Sequence, residues 1–317
     1  MKNPRNSATK RGFTLMELMV AMAITTIIVT VLVSITSIAL DTWNRSRSEL
    51  RASRQAKSMI DTMARDFESL VIRRGNTNQW LSAIDSPATV GKSIESTNAS
   101  EFIFFTAVTD RYNGQVGVSG TDMGGDVSCV AYKLDYRDPI DTGGGSTDFQ
   151  TFVMNRLLIN PDVTFDKLLG KDDLSSAFTN YNTKLSDPEN FICENVFQFS
   201  VTFNVQVTQV TGTTSKVVNV PVTIGKKDAE NSTKRFKISG LGIDCDVSAG
   251  SVTTAELASG RITSVDIAMT VVSDFGIDQL GKRTFVAANG KSADEVKSDF
   301  LAKNSYEYTK TVQIPSM

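Results

Sequence analysis

Leu18 to Leu40 is a run of 23 residues without one formal charge. As an α-helix it spans about 35 Å, more than the ~30 Å apolar core of a bilayer. A secretory signal has an apolar region of only about 7–15 residues, closed by a small-residue cleavage site. The run therefore predicts a membrane-spanning helix. Lys2, Arg5, Lys10 and Arg11 precede it; by the positive-inside rule they stay in the cytoplasm, and the large C-terminal part lies across the membrane.

The 317 residues carry 33 Lys and Arg against 35 Asp and Glu, and beyond Gly12 the balance is 29 against 35, net −6. A nucleic-acid partner needs a clustered basic face to neutralise phosphates, and the sequence has no such cluster. It also has no histidine, which removes Ser-His-Asp and Cys-His hydrolases and every His-ligated zinc site. An anchored hydrolase built on paired carboxylates has no supporting motif. Cys129, Cys193 and Cys245 are too widely spaced for a zinc knuckle or a thioredoxin-like pair. They read as buried unpaired thiols, the alternative being one bridge and one free thiol in an oxidising compartment.

Directly ahead of the apolar run stands Lys10-Arg11-Gly12-Phe13-Thr14-Leu15-Met16-Glu17-Leu18. Glu17 is a single acid in an apolar stretch, and a carboxylate at that depth is costly without a partner. The segment from Arg11 to Leu18 resembles the cleavage and methylation signal of type IV pilins and type II secretion pseudopilins. The resemblance implies that a prepilin peptidase cuts between Gly12 and Phe13 and methylates the new Phe13 amine. It further implies that Glu17 pairs with the Phe13 amine of a neighbouring subunit, the ammonium such a carboxylate lacks. The implied partners are the peptidase, other pilin or pseudopilin subunits and the bacterial inner membrane, crossed once with the head periplasmic.

Past the anchor, Leu50, Ala56, Met59, Ile60, Met63, Phe67, Leu70 and Val71 recur at three- and four-residue steps, while Arg47, Arg51, Arg54, Lys57, Arg65 and Asp66 fall mostly on other faces. No proline occurs between Pro4 and Pro87, so the spacing predicts helix to about Ile72. Then the period becomes two. Phe197, Phe199, Val201, Phe203, Val205 and Val207 alternate with polar residues, the mark of a half-buried strand. Val218–Ile224, Val265–Val271 and Val130–Tyr136 repeat the pattern. Ser292 with Glu295 predicts a capped helix to about Lys303, followed by a strand from Tyr306 to Ile314. Segments rich in Gly, Ser, Thr and Asp at 119–126, 142–148 and 226–233 read as surface loops.

The expected architecture is α+β: a leader over 1–12, a long helix over 13–72 with its membrane part at about 13–40, and a β-rich antiparallel head over 73–317. This layout resembles the larger J-type minor pseudopilins and W-type minor pilins. That implies a minor structural subunit and no enzyme activity; a membrane-anchored binding or receptor protein is the alternative.

Other motifs carry less. Asp244 and Asp246 have the alternating oxygens of a calcium loop, but position six is Ala249 and position twelve is Ala255, where the loop needs Gly and Glu. Asp122 with Asp126, and Asp172 with Asp173, are sparser still. Gly91-Lys92-Ser93 and Gly290-Lys291-Ser292 lack the earlier glycine of a phosphate loop, which is Ser86 and Phe285 instead. Trp43 reads as an interfacial anchor and Trp80 as a core or loop aromatic.

Overall fold

The computed structural model describes residues 14–87, 96–108, 126–140, 150–211, 214–247, 252–282 and 284–314. Two compact units form, Met1–Glu49 and Leu50–Met317. The helix α1 (Leu15–Glu68) contributes to both.

In the first unit the apolar side chains of α1 are exposed, from Leu15 at 77% to Leu40 at 57%. In water this surface would be untenable; in hydrocarbon it is the required one. By length and composition α1 can cross a membrane. Six of its hydroxyls are satisfied within the helix: Thr25, Thr26, Thr30, Thr36 and Thr42 each donate to the carbonyl four residues earlier at 2.8 Å, and Ser34 does so at 3.0 Å.

The second unit is a sheet-rich head around the rest of α1. Its strands are β1 (Gln79–Asp85), β2 (Ser100–Thr106), β3 (Ser128–Arg137), β4 (Thr151–Ile159), β5 (Phe191–Glu194) and β6 (Val196–Thr211). They continue with β7 (Thr214–Ile224), β8 (Ser232–Thr233), β9 (Arg235–Ser239), β10 (Gly242–Cys245), β11 (Arg261–Val272) and β12 (Ser305–Gln313). One sheet has the order β10-β9-β1-β2-β3-β4-β5 and the other β12-β11-β6-β7-β8. Every pairing is antiparallel except the short β7–β8 contact.

The alternation expected for β6 is realised: Phe197, Phe199, Val201, Phe203, Val205 and Val207 are buried, and Gln198, Thr202, Asn204 and Gln206 lie on the other face at intermediate exposure. Those inner residues share one core with Ala52, Ala56, Met59, Ile60, Met63, Ala64 and Phe67 of α1 and with the inner face of the seven-stranded sheet. Phe67 is central to it. Its ring stacks on Phe104 at 4.4 Å and meets Phe102 and Phe203 edge-on at 6.4 Å. The outer face of the seven-stranded sheet is covered by short helical turns over 161–190, through Leu168, Leu174, Phe178 and Leu185. Trp80 belongs to this second cluster, edge-on to Phe105 at 5.6 Å.

The helix ends at Glu68, not near Ile72. Leu70–Ile72 do follow the helical spacing, but the backbone N–H of Val71 donates to the Phe105 carbonyl at 2.9 Å, and Leu70 bridges Thr106. Pairing with the end of β2 replaces the last helical turn. The capping box at Ser292 and Glu295 opens the helix Ala293–Asn304 as expected, and β12 follows directly. All three cysteines are free and buried. The loops at 119–125 and 142–148 and the Gly91-Lys92-Ser93 motif lie outside the described residues, as does Asp122. Lys226–Thr233 is a turn that closes on β8.

Candidate functional site

Thr14 and Glu17 begin the described chain. The backbone N–H of Thr14 donates to Glu17 Oε2 at 2.9 Å and its hydroxyl to the same oxygen at 3.0 Å, while the Glu17 N–H donates to Thr14 Oγ1 at 3.3 Å. This is a capping box. It satisfies two donors that the first helical turn leaves open, and an acid here also faces the positive end of the helix dipole. The Thr-x-x-Glu spacing announces it, the same signal that marks Ser292 and Glu295, but in the sequence the isolation of Glu17 draws attention away from Thr14. Both short bonds use Oε2. Oε1 makes neither of them and can accept from an incoming ammonium. Gly12 and Phe13 lie outside the described residues.

A second charged centre was not anticipated. Asp66, assigned by spacing to an outer face of α1, is 1% exposed. It accepts from Arg156 Nε at 2.8 Å and Nη2 at 2.9 Å, and from the Tyr132 hydroxyl. Arg156 Nε also reaches the Tyr132 oxygen at 3.1 Å. Burial and the adjacent Asp66 charge hold the Tyr132 hydroxyl protonated, well above its ordinary range. Burial works against the Arg156 charge, but the hydrogen bonds to Asp66 outweigh it and raise the guanidinium further. The arrangement ties the last turn of α1 to β3 and β4. A fork of this kind is a fastening, with no open position for a substrate. Asp66 stands three residues after Met63 and next to Phe67, so the buried stripe itself carried the signal.

The remaining candidates separate. Asp244 and Asp246 flank Arg235, whose Nη2 lies 3.4 Å from one and 3.3 Å from the other, so a guanidinium stands between the carboxylates proposed for calcium. Among the described residues no group of three or more His, Cys, Asp or Glu side chains is placed to hold a metal ion. Asp172 accepts from the Thr77 hydroxyl at 2.6 Å, and Asp173 caps the helix Leu174–Phe178. Trp43 is 68% exposed on α1, and Trp80 is buried. Burial pushes the Cys193 thiol up to about 12 and Cys129 higher still, so neither is a nucleophile in the folded head.

With this geometry in view, the comparisons with known proteins bear on the N-terminus. Residues 7–33 match the family model described as the prokaryotic N-terminal methylation motif. Among curated protein sequences none matches the chain. A type IV-like pilin from Thermus thermophilus is 12% identical, with 84% of this chain and 96% of that one covered at a TM-score of 0.28, too loose a superposition to relate individual residues. What the comparisons show of this chain is therefore confined to residues 7–33, which carry the prokaryotic N-terminal methylation motif and run on into the membrane helix.

Proposed function

We propose that this chain is a minor structural subunit of a type IV pilus or type II secretion pseudopilus. It is made as a precursor, cut by prepilin peptidase between Gly12 and Phe13 and methylated on the Phe13 amine. It sits in the bacterial inner membrane by one helix, leader in the cytoplasm and head in the periplasm, until it enters a filament. The observation that carries this reading is the methylation motif over residues 7–33, continuous with a helix long and apolar enough to span a bilayer.

Docking is assigned to Glu17. Before assembly the Thr14 capping box keeps its carboxylate hydrogen-bonded, which lowers the cost of holding it in an apolar layer. On assembly the free Oε1 accepts from the Phe13 ammonium of the next subunit, where the low dielectric strengthens the attraction. Calcium at Asp244 and Asp246 would have to displace Arg235, and subunit function is proposed without it.

The test is the N-terminal residue and mass of the mature protein in native membranes. N-methylated Phe13 is expected. An intact Met1 in cells with active prepilin peptidase refutes the reading and favours a membrane-anchored binding protein.

A further inference from the structure

The outward face of α1 within the head is basic. Arg51, Arg54 and Lys57 are all exposed there, at three-residue steps, while Ala52, Ala56, Met59 and Ile60 face inward. What this face binds is visible at one point: Arg51 holds the carboxylate of Glu194 at 2.5 Å, joined by Gln55 at 3.4 Å. Arg54 and Lys57, one turn on, form no ion pair with a carboxylate among the described residues. The cations are aligned; of the three, Arg51 is in an ion pair among the described residues, while Lys57 feels Asp61 on the same helix through space.

A matching surface lies elsewhere on the same head. The segment 161–190 over the outer side of the seven-stranded sheet carries six Asp and Glu against three Lys. Asp166 is taken by Lys167, and Asp173 by Ser176 and Lys237. Asp187 and Glu189, two residues apart around the turn Pro188–Asn190, have no cationic partner among the described residues. Residues 69–317 as a whole carry 29 acids against 23 bases. An unpaired pair of cations and an unpaired pair of anions therefore sit on two patches that share no residue.

We infer that Arg54 and Lys57 of one subunit dock on Asp187 and Glu189 of a second copy. The acidic surface that complements the helix is this chain's own, which is why a second copy is the occupant. Two different patches on identical heads make a heterologous contact, in which one copy offers its helix face and the next its acidic turn. The inference rests on the subunit reading above: the membrane helices bring copies together, and the charged pairs set their register, as complementary charges do at other interfaces.

The test uses the full-length protein in phosphatidylcholine vesicles. R54C protein is mixed with E189C protein and treated with a bismaleimide; the three native cysteines are buried. Cross-linked dimer is expected from the mixture and not from either protein alone. Its yield should fall severalfold when K57E is added to the R54C chain or at about 0.5 M salt, since the cysteines leave one surface pair, Lys57 with Asp187, and such a pair amounts to roughly that factor.

Dimers from R54C alone would mean helix faces meeting symmetrically and would overturn the proposal. So would the absence of any cross-link, or protection of the R54C thiol from soluble maleimide only when phosphatidylglycerol is added, which assigns the face to lipid. The mass of the processed N-terminus is read separately. Methylated Phe13 without the cross-link defeats this contact and leaves the subunit reading standing.

Discussion

Replacing Asp66 by Asn perturbs a buried charge that ties α1 to β3 and β4. The change leaves the shape almost intact and removes the charge that faces Arg156. The guanidinium, whose side chain is 19% exposed, then keeps its charge with half its fork unanswered. Removing one partner of a buried ion pair costs about 3–5 kcal/mol. Asn retains one oxygen that can accept from Tyr132 or Arg156, so the lower end applies, about 3 kcal/mol, or roughly a hundredfold in the unfolding constant. Against a typical total of about 5–15 kcal/mol this is a severe loss. Tyr132→Phe should cost less, about 1–2 kcal/mol, because the Asp66–Arg156 fork survives.

The decisive comparison is Asp66→Leu combined with Arg156→Met. This pair replaces both charges by apolar groups, and such exchanges are commonly near neutral. It should lie within about 1 kcal/mol of the parent protein. Urea unfolding of the full-length protein in detergent micelles, followed by Trp80 fluorescence in a Trp43→Phe background, reads all four proteins. If Asp66→Asn leaves the midpoint unmoved, or if the double replacement is as damaging as Asp66→Asn, the energetic account of this centre is wrong.

Other outcomes can be checked independently. Glu17→Ala should be cleaved and methylated normally yet enter filaments poorly, read by N-terminal mass against filament yield; normal assembly would remove Glu17 from the docking site. Glu256 and Glu295 are held below the ordinary carboxyl range by bonds from the Thr253 and Ser292 backbones and hydroxyls. A depressed folded pKa stabilises above the unfolded value and is lost as pH falls through the folded one. Protection of the Thr253 and Ser292 amides from exchange, taken relative to the intrinsic rate at each pH, should therefore fall below about pH 4.5. Glu101 is raised by burial, so it acts in the opposite sense, favouring the folded state at low pH and opposing it as pH rises past its unfolded value. Maleimide should label none of Cys129, Cys193 and Cys245 in the native head and all three in urea, counted by mass. Gly242→Ala should destabilise by about 2–4 kcal/mol in the same urea assay, because its φ is +136° and a Cβ would lie 2.1 Å from the Ala258 carbonyl oxygen.

Local periodicity made much of this fold legible. β6, β11 and the helix Ala293–Asn304 were readable because a pleat with one wet face, or a capping box, writes itself into neighbouring residues. The order of the seven-stranded sheet was not. β1 lies beside β9, pairing Ser82 with Lys237 across 155 residues, and nothing local to either segment specifies that partner. The same holds for Asp66 and Arg156, 90 residues apart. At the N-terminus the motif pointed to Gly12, Phe13 and Glu17, whereas the Thr14 bonds to Glu17 emerged only from geometry. The short strand-like end after Glu68 escaped because Leu70 and Val71 satisfy both periods.

Thr25, Thr26, Thr30, Ser34, Thr36 and Thr42 bear on what it takes to remove this helix from a bilayer. Each of those hydroxyls already has its acceptor inside the helix, so none gains a partner or loses one when lipid is exchanged for the flank of another helix. To first order their contribution cancels between the two surroundings. The work of extraction then falls on the exchange of apolar contacts, which lipid and a packed helix both supply, and on the one carboxylate at the helix start. Whatever drew this helix out of a bilayer would meet a nearly level path along those six positions, with a step at Glu17.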